Sequence, residues 1–219
     1  MRRKLKIVAR GLLVAATVVI IVLWLRYPAM EEAFQRDADI TRLRHLEHYG
    51  SLIEEYRRVT GKVPFQGDAP VPIYIHVANE SQLEYAKNGP PTPHKVVPVA
   101  ELIRELEDKL GRTVDEFYDP QSVPTSRPNF YIYMVTGEVY FFAIHVHQPF
   151  RFAKKIADNY YKIEITNGDA ASAWKPETLF DDPNFKRERD KPIVKRLFSL
   201  RDDKYRHFTK RDGAAEKAK

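Results

Sequence analysis

Between Gly11 and Leu25 the chain reads GLLVAATVVIIVLWL, fifteen residues without a charge, and extension back to Ile7 gives nineteen residues broken only by Arg10. A helix needs roughly 20 apolar residues to cross a bilayer, and an arginine near its end can snorkel to the headgroups. The stretch therefore predicts one transmembrane helix. Trp24 and Tyr27 stand at its distal end, where amphipathic rings favour the membrane–water interface. Arg2, Arg3, Lys4, Lys6 and Arg10 precede it, whereas Arg26 is soon followed by Glu31 and Glu32. The positive-inside rule then puts the N-terminus in the cytoplasm and the rest of the chain outside the cytoplasmic (inner) membrane, in the periplasm of a two-membrane cell. A cleaved signal peptide would want small residues just before its cut, and Trp24 to Ala29 offers them poorly, so the span is expected to stay as an anchor.

The net charge of +6 hides a segregation: residues 1–10 carry +5 and residues 186–219 carry +7, leaving −6 for 11–185. The basic ends, not a basic folded surface, set the balance, so no nucleic-acid partner is expected. The 219 residues include no Cys, which excludes disulfides, thiolate metal sites, cysteine nucleophiles and lipoprotein acylation together. The nine glycines are scattered singly, so no phosphate-cradling loop exists. No serine lies in a nucleophile-elbow sequence. Asp115, Glu116, Asp119, Asp181 and Asp182 lack the alternating oxygens and central glycine of a calcium loop and read as solvated turns. No catalytic residue and no cofactor are predicted.

From Asp39 to Val59, apolar residues at Ile40, Leu43, Leu46, Tyr49, Leu52, Ile53, Tyr56 and Val59 make one helical stripe, with Arg42, Arg44, Glu47, Glu54, Glu55, Arg57 and Arg58 assigned to the opposite face. Gly61 suits the helix end and Pro64 forbids continuation. One long stalk helix, bent near Pro28, could run from the membrane into this stripe. Residues 71–78, VPIYIHVA, read as a strand, and a loop with Pro90, Pro91, Pro93 and Pro98 follows. Val99, Leu102, Ile103, Leu106 and Leu110 define a second amphipathic helix stopped by Gly111. Phe130 to Val135 and Glu138 to His147 flank Thr136-Gly137 as a hairpin, and residues 160–166 form a further strand. No long helix separates these strands, so parallel crossovers are not expected. The predicted fold is α+β: a transmembrane helix and an amphipathic stalk helix packed on a mainly antiparallel sheet. Three parts result: a basic tip and anchor (1–30), an extracytoplasmic domain (31–185) and a basic C-terminal extension (186–219) whose last residues cannot build a core.

A membrane helix leading into an amphipathic helix that closes on Tyr49, Tyr56, Gly61 and Pro64, followed by an antiparallel sheet, resembles the type IV pilins and the pseudopilins of type II secretion. Asp119-Pro120 ahead of the hairpin is similar to a pseudopilin loop. The resemblance implies an interaction fold accessory to a pilus-type or secretion system. It departs from the family pattern at the start, where Ala16 stands in place of the glutamate that follows the prepilin peptidase cut. The chain is therefore expected to remain full length.

His145 and His147 lie two apart in a predicted strand, so both rings would project from one sheet face, and His76 in another strand could add a third metal ligand. Packed or surface histidines are the plainer reading of all three. The aromatic hairpin, with Phe130, Tyr131, Tyr133, Tyr140, Phe141 and Phe142, has apolar residues on both faces. One face should pack on the helix around Leu46 and Ile53, and the other needs a cover or a partner. The first expectation is a single-pass, non-enzymatic envelope protein with one membrane span and an unidentified protein partner. The rival is an anchored enzyme or metal- or ligand-binding domain that uses the histidine-bearing face.

Overall fold

The computed structural model describes residues 2–67, 73–78, 83, 94–120 and 131–193, with side chains of residues 2–14, 20 and 23–30 left aside. Helix α1 (Arg2–Thr60) is unbroken for 59 residues, through Pro28, and at 1.5 Å per residue is about 88 Å long. Strands β1 (Ile73–Ala78) and β2 (Lys95–Pro98) precede helix α2 (Val99–Leu110). Strands β3 (Tyr131–Thr136), β4 (Val139–Val146), β5 (Lys154–Ala157) and β6 (Tyr160–Thr166) follow, then short helices α3 (Pro176–Asp181) and α4 (Pro183–Arg189). The six strands form one sheet in the order β2-β1-β3-β4-β6-β5. This is the α+β architecture expected from the sequence, with a mostly antiparallel sheet.

Along α1 the described side chains divide into two regimes. Val18, Val19, Ile21 and Val22 are each at least half exposed, whereas Leu43, Leu46, Tyr49 and Ile53 are fully buried. Among the described residues no helix is long and apolar enough to cross a membrane. Most of the expected span, with Arg10, Trp24 and Tyr27, lies outside the described side chains. Val71, Pro72, Pro90, Pro91, Pro93, Phe130 and residues 194–219 also lie outside the described residues.

Register explains how the core is built. Ile75 lies opposite Tyr133, Tyr133 opposite Phe142, and Phe142 opposite Ile165. These rows share one face, because side chains alternate along a strand. That face and the α1 stripe belong to one buried cluster, as expected for Leu46 and Ile53. Tyrosine hydroxyls reach partners at its margin: Tyr140 donates to Glu54 at 2.9 Å, Tyr133 to the Pro64 carbonyl at 3.1 Å and Tyr56 to Glu105 at 2.5 Å. A buried tyrosine contributes its full apolar area only when its hydroxyl is satisfied in this way. Gly61 and Gly111 end α1 and α2 in the left-handed region, at φ +70° and +66°. Each amide bonds the carbonyl four residues back.

The structure corrects several expectations. β1 and β2 are parallel, and the sixteen residues between them are enough chain for a crossover. Pro98 ends edge strand β2, where its missing N–H costs no ladder bond, and leads into α2 at φ −65°. The hairpin turn is Gly137-Glu138, since Thr136 pairs with Val139, and Gly137 takes φ +57°. β5 is marked by no apolar alternation in its Lys-rich four residues, so period two does not reveal it. At the C-terminal boundary, α4 runs across 185/186: Phe185 is fully buried, and Arg44 on α1 donates to the Arg189 and Lys191 carbonyls at 3.0 and 2.9 Å. Asp182 caps α4, accepting from the Asn184 and Phe185 amides.

Candidate functional site

Charged and titratable side chains concentrate where the middle of α1 meets the end of β4 and an extended strap, residues 112–119. Arg42 is 1% exposed, in the centre of the apolar stripe and not on the polar face. Asp119, expected in a solvated turn, is buried against it. The Arg42 guanidinium donates through Nε and Nη2 to the two Asp119 oxygens at 2.8 and 2.9 Å, and through Nη1 to Asp39 Oδ1 at 2.7 Å. The other Asp39 oxygen accepts from the His147 and Gln148 amides, both at 2.8 Å. One arginine thus ties helix, strap and strand end together. Burial opposes the guanidinium charge, but Asp119 and Asp39 more than restore it, so the pKa of Arg42 stands above the ordinary value. Burial lifts the Asp39 carboxyl above its usual range, against the pull of Arg42 and the two amides. With both carboxylates engaged in holding Arg42, the arrangement fixes shape and offers no ready ligand site.

One and two turns further along α1, His45 and His48 face the same strap. His45 stacks on Phe117 with centroids 4.7 Å apart, and its Nδ1 shares a hydrogen bond with the Tyr131 hydroxyl. Burial pushes the His45 ring down to about 3, with His48, Arg42 and Arg44 adding to the effect. The Tyr49 hydroxyl donates to the Phe117 carbonyl and accepts from the Phe117 amide at 2.7 Å.

Of the histidines singled out in the sequence, two come together. His145 stacks on Tyr160 at 4.9 Å, and His147 approaches the same ring at 6.3 Å. Burial, then Lys162 and Arg42, hold His145 down to about 4, and its Nδ1 has no hydrogen-bond partner among the described residues. His76 stands elsewhere, in the row His76–Ile132–Ala143, and its ring neighbours His94 at 5.8 Å. It is two strands from β4, about 10 Å across the sheet. Among the described residues no three His, Cys, Asp or Glu side chains are grouped to hold a metal. The outer sheet face carries His76, Ile132, Met134, Phe141 and His145, all part-buried.

Sequence reading missed Arg42, Asp39 and Asp119 as a unit. The signal was present: at helical spacing Arg42 precedes Leu46 by four residues and Tyr49 by seven, which places it inside the stripe. Set against known protein families, curated proteins and solved structures, the chain matches none of them.

Proposed function

We propose that this is a single-pass, non-enzymatic protein of the cell envelope, anchored by the start of α1 and presenting a pilin-like interaction domain outside the cytoplasmic membrane, accessory to a pilus-type or secretion system. The observation that carries the reading is the division of one helix. Its described apolar side chains at Val18, Val19, Ile21 and Val22 are each half exposed or more, while from Ile40 to Tyr56 the same helix is the spine of the core. Exposed aliphatic side chains on a helix are costly in water and suited to lipid. Five basic residues before the apolar run favour a cytoplasmic N-terminus. The long helix laid on a mostly antiparallel sheet supports the pilin resemblance at the level of architecture, which is an analogy of fold. The candidate site supports a non-enzymatic reading, because its charged groups satisfy one another.

Reporter fusions test the topology. Alkaline phosphatase joined after Ile193, beyond α4, is expected to be active in cells, and β-galactosidase at the same point inactive. The reverse pattern would sink the proposal.

A further inference from the structure

The strap lies along α1 in the opposite direction, pinned at successive turns. Arg112 donates to Glu55 at 2.6 Å, the Asp115 carbonyl lies 3.3 Å from His48 Nε2, Phe117 is held by Tyr49 and His45, and Asp119 by Arg42. From Glu55 back to Arg42 the helix rises about 20 Å, and the seven residue steps from Arg112 to Asp119 span up to about 23 Å, so the two run in step. These ties pass through side chains. Val114 also gives its amide to the Glu107 carboxylate at 3.0 Å.

Two of the pins are imidazoles, set against one phenyl ring. His45 lies flat on Phe117, and His48 meets it edge-on at 4.8 Å. From these contacts we infer that the strap is a pH-sensitive clasp: protonation of His45 and His48 lifts residues 112–119 off α1 while the sheet stays folded.

The surroundings of the rings carry the inference. His45 is closed in by the Phe117 ring, β3 and its own helix, so a charge on it reaches water only if the strap moves. The charged and polar groups acting on the two rings are Arg42 and Arg44 on α1, Arg112 and Asp115 on the strap, and Tyr131 on β3; Glu116 and Asp119 of the strap act on the neighbouring Tyr49 and Tyr131. Asp119 is engaged by Arg42, and the arginines oppose a further positive charge. Tyr131 is a neutral phenol, held so by burial. Once Nδ1 of His45 carries a proton it must donate a hydrogen bond to the Tyr131 oxygen, and the phenol O–H has to find another acceptor. The Phe117 π-face attracts a cation, but the loss of water around a buried imidazolium outweighs that. At His48 burial lowers the pKa, and the Asp115 carbonyl and charge work the other way.

The size of the effect follows from linkage. With His45 near 3 when clasped and at its ordinary 6.5 when free, opening is favoured about 30-fold more at pH 5 than at pH 7.5. Hydrogen exchange on the full chain in detergent reads this directly, after correction for the intrinsic pH dependence of exchange. The Val114 and Phe117 amides should lose protection about 30-fold between pH 7.5 and 5, and at each pH should exchange faster than those of β3 and β4, which open only with the whole fold. The His45→Gln variant should flatten the response, and His48→Gln, at a less buried position, should reduce it. Strap protection that ignores pH in the native chain, strap amides that exchange no faster than those of β3 and β4, or an undiminished response in the variants would overturn the inference.

Discussion

Arg42 and Asp119 meet at two points inside the core, Nε to Oδ2 at 2.8 Å and Nη2 to Oδ1 at 2.9 Å, although 77 positions separate them. The pair, with Asp39, joins α1 to the strap and to the end of β4. Such a pair adds little against a well-packed apolar replacement, but breaking it leaves a buried charge alone. Asp119→Ala is therefore expected to cost about 3–5 kcal/mol in urea unfolding. The double variant Arg42→Met with Asp119→Leu should recover most of that loss. A single variant within about 1 kcal/mol of the native chain would contradict the role given to the pair.

Gly50 lies where α1 passes β6 and α3. A Cβ there would come within 2.5 Å of Ile165 Cδ1 and 2.7 Å of Phe180 Cζ. Overpacking of this kind costs about 1–3 kcal/mol. Alanine gains back no more than about 1 kcal/mol in helix propensity. Gly50→Ala should thus lower the melting temperature, and a higher one would show that the helix is not seated this closely.

Phe185 tests whether the folded domain extends across the 185/186 boundary. It is fully buried, with ring centroids 5.4 Å from Phe152 and 5.6 Å from Phe180. Phe185→Ala should cost about 3–5 kcal/mol, the range for a phenylalanine removed from a core. A loss below about 1 kcal/mol would mean that α4 is only loosely docked.

Acid should destabilise the fold through two histidines. His45 and His145 stand at about 3 and about 4 in the folded chain, below their ordinary 6.5. The unfolded chain then binds more protons below pH 6.5, so stability is complete above that value and falls as pH drops towards 4. Each ring contributes a slope of about 1.4 kcal/mol per pH unit over that interval. Asp39, lifted by burial, acts in the opposite sense as pH falls through its raised folded value towards the ordinary 3.8. His145→Phe should reduce the slope of unfolding free energy against pH by one proton, and an unchanged slope would remove His145 from the account.

Much of this architecture is legible in the sequence where one physical signal dominates. The stripe from Ile40 to Tyr56, the glycine stops at Gly61 and Gly111, and the aromatic hairpin each follow from periodicity or from a positive φ that glycine alone takes easily. Signals that depend on distant partners are harder to read. Arg42 sits at a core position, but only Asp119, 77 positions away, explains how its charge is buried there. β2 and β5 have four residues each and no alternation of their own, and they exist because β1 and β6 offer them an edge. His145 and His147 converge on Tyr160 as period two suggests, but the sheet order leaves His76 two strands from β4.

In the proposed function α1 is both anchor and spine, with the folded domain outside the inner membrane. Because the native chain has no cysteine, single cysteines report position without background. Lys109→Cys lies on an exposed side chain of α2, and Lys4→Cys precedes the apolar run. With a membrane-impermeant maleimide, on cells whose outer layers admit it, the account predicts labelling at position 109 and none at position 4 until the inner membrane is opened. Labelling at position 4 in intact cells, or protection of both positions, would contradict it.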